Sequence, residues 1–131
     1  MLRLRFLSGA LASATLLGAC AEATSPSVHG RWAAKGIELI AQPFSAEVRL
    51  PCATMARVAR ALLPDSAGTI RFSAPVTGRW TSYTVDFVGQ FMGDTLAGTL
   101  TSTFAEGTPL VQFYTMVPDA DPQFGSFFCL D

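Results

Sequence analysis

One stretch of the chain, Tyr83 to Phe104, decides the fold class, and it reads YTVDFVGQFMGDTLAGTLTSTF. Apolar and polar side chains alternate along both halves, which is typical of half-buried antiparallel strands. Gly93-Asp94 separates the halves, and a glycine at the first central position is what a type II′ turn requires. The stretch therefore predicts a β-hairpin.

The same alternation continues on both sides of this hairpin. Turn-forming residues recur about every ten positions, which is typical of a sandwich or a barrel. We therefore expect an all-β domain, an antiparallel barrel or sandwich of about seven or eight strands. The side chains expected to point inward are large, which predicts a filled interior; they are Phe44, Phe72, Tyr83, Phe87, Leu100 and Phe104.

Residues 53–63 depart from the alternation. Met55, Val58, Ala59 and Leu62 follow helical spacing, and Pro64 comes directly after the segment. This pattern predicts a short amphipathic helix. An irregular strand is the alternative, because strands surround the segment on both sides.

The amino terminus has the features of a secretion signal. Two arginines precede an uncharged stretch from Phe6 to Leu17, which is too short for a membrane span of about 20 residues. The motif Leu17-Gly18-Ala19-Cys20 resembles the bacterial lipobox. The resemblance implies cleavage between Ala19 and Cys20, and acyl chains such as palmitate on Cys20. The alternative is an ordinary secreted protein cut nearby.

This interpretation divides the chain into three parts and predicts its cellular location. Residues 1–19 form the signal peptide, residues 20–27 the lipidated cysteine with a flexible tether, and residues 28–131 a single β domain. We expect the protein to be held in the bacterial cell envelope by the acyl chains on Cys20. Ala21 favours the outer membrane over the inner one under the sorting rule of the lipobox family.

Two cysteines remain after processing, Cys52 and Cys129. The envelope is oxidising, so that an even number of cysteines predicts a disulfide between them. The alternative is a pair of free buried thiols.

Charge and motifs exclude several classes of function. Without Arg3 and Arg5, the chain has seven basic and ten acidic residues and a net charge of −3. A domain that binds nucleic acid normally has an excess of basic residues, so that this charge argues against such binding. His29 is the single histidine, so that a two-histidine metal site cannot form. Asp119-Ala120-Asp121 predicts a turn, with calcium binding as the alternative. We expect no catalytic residues, no metal site and no cofactor.

The motifs Gly30-Arg31-Trp32, Leu50-Pro51-Cys52 and Phe128-Cys129-Leu130-Asp131 resemble those of a class of small, uncharacterised bacterial lipoproteins. The Gly-x-Trp opening is also similar to that of the lipocalin-like barrels. We expect a non-enzymatic domain that binds an envelope partner through its surface. The alternatives are a lipocalin-like carrier of a small apolar ligand and an envelope hydrolase that uses carboxylates such as Glu38 and Glu47. Both glutamates lie on the polar sides of strands, where we expect solvated faces.

Overall fold

The computed structural model describes residues 28–78 and 82–129, and eight antiparallel strands account for most of them. The predicted signal peptide, the Ala19-Cys20 cleavage site and the tether lie outside the described residues. The strands are β1 (Gly30–Ala34), β2 (Ile37–Ala41), β3 (Ala46–Leu50), β4 (Thr54–Val58), β5 (Thr69–Thr77), β6 (Ser82–Met92), β7 (Thr95–Thr103) and β8 (Leu110–Pro118).

Each strand pairs with the next one in sequence, and β1 pairs with β8, so that the sheet closes into a barrel. The prediction of an all-β barrel or sandwich is thereby confirmed as a barrel. Because neighbouring strands run in opposite directions, the connections alternate between the two ends. The end where β1 begins is called the N-terminal end, and it also holds the β2–β3, β4–β5 and β6–β7 connections.

The hairpin of β6 and β7 has the predicted turn. Gly93 has a positive φ of 66°, whereas the φ of Asp94 is not positive. A positive φ at the first central residue alone is the type II′ pattern. The hydroxyl of Thr95 donates to the carbonyl oxygen of Met92 at 2.9 Å.

The helix predicted over residues 53–63 is wrong. Residues Thr54–Val58 form β4, which pairs along its full length with β3. Cys52 and Ala53 turn the chain back with φ values of 67° and 55°. A short apolar run fits the spacing of a helix and that of a strand, and here the pairing with β3 selects the strand. Nothing helical in the described part of the chain has the length and apolar character of a membrane span.

The barrel interior is packed around two stacked phenylalanines. The rings of Phe72 and Phe87 lie 5.2 Å apart. Gly89 and Gly98 stand opposite each other on β6 and β7, and the Phe87 ring occupies the space that their missing side chains leave. The small residues of the inner face therefore make room for an aromatic ring.

Two of the residues predicted to point inward do not lie in the core. Phe44 is 86% exposed, because β3 begins only at Ala46 and leaves Phe44 in the preceding turn. Phe104 follows the end of β7 and is 39% exposed, where its ring lies 4.8 Å from that of Tyr83.

After β8 the chain continues as a segment that we call the strap, residues 119–129, which contacts β1, the β1–β2 turn and the β3–β4 turn. The Asp119 amide donates to the Arg31 carbonyl at 3.0 Å, and the Gly36 amide donates to the Pro122 carbonyl at 2.8 Å. The disulfide between Cys52 and Cys129 fastens its end to the β3–β4 turn. The predicted disulfide is therefore confirmed.

The strap dictates a glycine at position 36. Gly36 has a φ of 86°, and a Cβ there would lie 2.7 Å from the Phe127 ring. Ala33 and Glu38, which face outward on β1 and β2, are also buried.

Candidate functional site

The outer surface of β6 to β8 carries an apolar area that we call the wall patch: Val88, Val111 and Phe113. Their exposed fractions are 40%, 49% and 81%. Val88 stands opposite Thr99, which in turn stands opposite Phe113. A shallow depression of about 410 Å³ passes between these side chains and reaches Arg71 on β5. Exposed apolar groups of this size in one area are typical of an interaction site.

The wall patch adjoins a free strand edge. On its outer side β8 pairs with β1 only at Val117 and Pro118. Within residues 28–78 and 82–129, no strand pairs with residues 110–115 on that side. A free edge presents backbone donors and acceptors to another strand, and no charged side chain occurs in this segment.

A ladder of alternating charges crosses the outside of β1 to β4. Arg31 pairs with Glu38, and Glu38 lies 3.6 Å from the guanidinium of Arg49. Arg49 donates to Glu47 at 2.6 Å, and Arg57 lies 3.3 Å from the other oxygen of that carboxylate. The hydrogen bond to Glu47 raises the pKa of Arg49 above its ordinary value.

The ladder corrects one expectation from the sequence. Glu38 was expected on a solvated face, yet only 7% of its side chain is exposed. Burial of a carboxylate requires charged partners, and arginines on both sides supply them. Both glutamates of the ladder are thus held in ion pairs.

A few polar groups approach the barrel interior. Burial raises the pKa of Tyr114 above its ordinary value, and the nearby Tyr83 adds to the shift. The Nε1 of Trp32 is buried without a hydrogen-bond partner among the described residues. The Trp32 ring meets the edge of Phe91 at a centroid distance of 5.3 Å.

The remaining sequence candidates are scattered. Asp121 accepts a hydrogen bond from the Gln123 amide at 2.8 Å, and Asp119 adopts a φ of 55°, so that the predicted turn is confirmed. His29 is exposed just before β1. The described residues contain no group of three side chains that could hold a metal ion.

Sequence reasoning missed Phe113 and its neighbours. A signal was present, because residues 110–117 read LVQFYTMV and place apolar side chains on both faces of one strand. A strand with one solvated face normally alternates. Apolar residues on its outer face therefore indicate a contact beyond the barrel.

Comparison with protein-family models, with curated proteins and with solved structures finds no match to this chain.

Proposed function

We propose that this protein is a bacterial envelope lipoprotein, anchored through Cys20, whose barrel binds a partner protein through the wall patch. The observation that carries the proposal is the position of Phe113, which is 81% exposed beside a strand edge that no other described strand pairs with. Covering a phenylalanine of this kind contributes roughly 1.5–3 kcal/mol to binding.

The geometry of the patch favours an extended partner segment. A strand added to residues 110–115 would make main-chain hydrogen bonds, and its side chains would reach the depression between Val88 and Phe113. The edge is uncharged, so that a neutral, apolar segment fits it best.

The packing of the interior supports surface binding over a carrier role. A carrier needs a cavity of about 300 Å³ or more. Phe87 is 1% exposed, stacks on Phe72 and fills the space over two glycines. The stacked rings take up space inside the barrel that a ligand would need.

A non-enzymatic role is part of the proposal. A glycosidase-type hydrolase needs one carboxyl group that can give up a proton and another that acts as base or nucleophile. Glu38 and Glu47 are each held between two arginines. Such pairing engages the oxygens of both carboxylates with cations of the protein itself.

The anchor is tested by changing Cys20 to Ala. We expect this variant to leave the membrane fraction, to retain its leader and to carry no lipid label. A Cys52→Ala variant is the matched control, because it removes another cysteine and should keep the lipid. Normal lipid labelling of the Cys20 variant would disprove the anchoring part of the proposal.

The patch is tested by photo-cross-linking in living cells. Benzoylphenylalanine in place of Phe113 should give one discrete adduct with a partner protein. The same probe at Ser73, which is exposed on the outer face of β5, should give none. A second change, Val88→Ser, should reduce the adduct formed at position 113. Equal adduct patterns at positions 113 and 73 would count against the patch.

A further inference from the structure

Three large apolar side chains project from the N-terminal end of the barrel. Phe44, Leu63 and Met92 are 86%, 65% and 64% exposed. Each belongs to a different connection or strand end at this end: the β2–β3 turn, the β4–β5 loop and the last residue of β6. We call these three side chains the apolar tips. Their grouping at one end, on separate connections, indicates a common contact surface.

The apolar tips stand on well-fixed supports. The turn that carries Phe44 is closed by a hydrogen bond from the Gln42 amide to the Ser45 carbonyl at 2.8 Å. Leu62, the neighbour of Leu63, is buried in the core. The Phe91 amide, one residue before Met92, donates to the Gly68 carbonyl at 3.2 Å.

The β4–β5 loop has a further clamp near its base. The Asp65 carboxylate accepts hydrogen bonds from the amides of Ala67 and Thr69, both at 2.9 Å. The Asp65 amide also donates to the Thr69 carbonyl at 2.9 Å. These bonds hold the loop in shape, so that Leu63 faces solvent while Leu62 faces the core.

The same end is the one nearest to the proposed lipid anchor. The domain begins at Val28, just before β1, and only the seven residues Ala21 to Ser27 separate it from Cys20. A chain of this length spans at most about 30 Å when fully extended. The anchor therefore keeps the apolar tips at a high local concentration next to the bilayer.

We propose that the apolar tips insert into the interfacial layer of the membrane that holds the anchor, an inference that rests on the proposed lipidation. Phenylalanine, leucine and methionine suit the boundary between headgroups and acyl chains. Among the described residues, the connections at this end hold one arginine, Arg60, together with Asp65 and Asp94. Recognition is thus apolar and independent of lipid charge. The barrel then stands with its N-terminal end on the membrane.

The experiment places benzoylphenylalanine at Phe44 in the full lipidated chain, reconstituted in vesicles of phosphatidylethanolamine and phosphatidylglycerol. Phe113 is the matched control, since it is a comparably exposed phenylalanine, 81% against 86%, on the barrel wall. We expect about a tenfold higher yield of lipid adducts at position 44, in line with the transfer of one large apolar side chain. Probes at Leu63 and Met92 should give yields like that of position 44.

Two further measurements, the salt dependence of the adduct yield and the mass of the acyl group on Cys20, complete the experiment. The yield at position 44 should not change at high salt, because apolar insertion is not screened. Equal yields of lipid adducts at positions 44 and 113 would overturn the proposal, because they would show that this end does not dock on the membrane. An adduct of twice the chain mass at position 44 would also overturn it, because it would show that the apolar tips contact a second copy of the chain. The acyl group on Cys20 is measured by mass in the same sample. Its presence without lipid adducts at position 44 overturns the docking alone, whereas its absence overturns the anchoring proposal.

Discussion

The packing of Phe87 over two glycines gives the sharpest test of the barrel interior. A Cβ at position 98 would lie 2.3 Å from Cζ and 2.6 Å from Cε2 of the Phe87 ring. The ring cannot swing away freely, because it stacks on Phe72 at 5.2 Å and is 1% exposed. We therefore predict that Gly98→Ala destabilises the protein.

The magnitude follows from the contacts. Adding a methyl group to a filled core of this kind costs about 1–3 kcal/mol. The backbone preference works in the opposite direction, since alanine in a strand is favoured over glycine by roughly 0.5–1 kcal/mol. A third contact, 3.2 Å to the Val88 carbonyl oxygen, is tight and remains when the ring is removed. The net expectation is a loss of about 1–2 kcal/mol in the free energy of unfolding.

A double-mutant cycle separates the ring clash from other effects. Phe87→Leu deletes the ring atoms that the new methyl group would meet. In that background Gly98→Ala should cost close to nothing, which gives a coupling energy of about 1–2 kcal/mol between the two positions. Urea unfolding of the four proteins, followed by circular dichroism with the disulfide intact, measures each step.

Gly125→Ala is the control for this cycle, because no heavy atom lies within 4 Å of a Cβ built there. It should change the stability by less than about 0.5 kcal/mol. If Gly98→Ala cost the same in both backgrounds, the Phe87 ring would not be the neighbour that position 98 must avoid, and the argument for a filled interior would lose its basis.

Three further predictions concern the strap, the charge ladder and the interior. Cys129→Ser, which frees the strap from Cys52, should cost about 2–5 kcal/mol in urea unfolding, and an unchanged midpoint would contradict this. Glu38→Gln should lower the free energy of unfolding by about 1–3 kcal/mol, because it leaves arginines beside a buried neutral group. Glu47 is more exposed, so that Glu47→Gln should lower it by less than about 1 kcal/mol. Equal losses in the two variants would refute this distinction between the two glutamates. Because burial raises the pKa of Tyr114 in the folded protein, the unfolded chain loses this proton first, so that stability should fall as the pH rises above about 10. Tyr114→Phe should reduce that fall, and an identical pH profile for both proteins would be evidence against the assigned cause.

Local signals in the sequence were enough for much of the fold. The β6–β7 hairpin follows from alternation and from Gly93, because a two-residue turn fixes its own register. The disulfide followed from counting, since only Cys52 and Cys129 were left for an oxidising compartment. Both are decided within a short segment or by elimination, without knowledge of distant contacts.

What the sequence could not predict depends on distant contacts. Residues 53–63 have helical spacing, but the edge of β3 takes residues 54–58 as its partner. Phe44 continues the alternation of β3 by one step, but the turn before Ala46 removes it from the core. Glu38 lies on the outer face of β2 as expected, but its side chain is only 7% exposed, with Arg31 of β1 and Arg49 of β3 beside it. The strand pairing of residues 54–58, the exposure of Phe44 and the burial of Glu38 all depend on contacts that form only in the folded barrel.

The distribution of these surfaces around the barrel limits how a partner can approach. The charge ladder extends over the outside of β1 to β4, whereas the wall patch lies on the outside of β6 to β8. Strands in a barrel tilt by about 35–45° from its axis. A segment added to the edge of β8 would follow that tilt. If the apolar tips rest on the bilayer, the partner segment must run at an angle to the membrane beside residues 110–115, which lie toward the end of β8 that is away from the lipid. The two proposals together therefore require a partner whose binding segment stands away from the membrane surface, and a segment lying flat on the bilayer could not satisfy both.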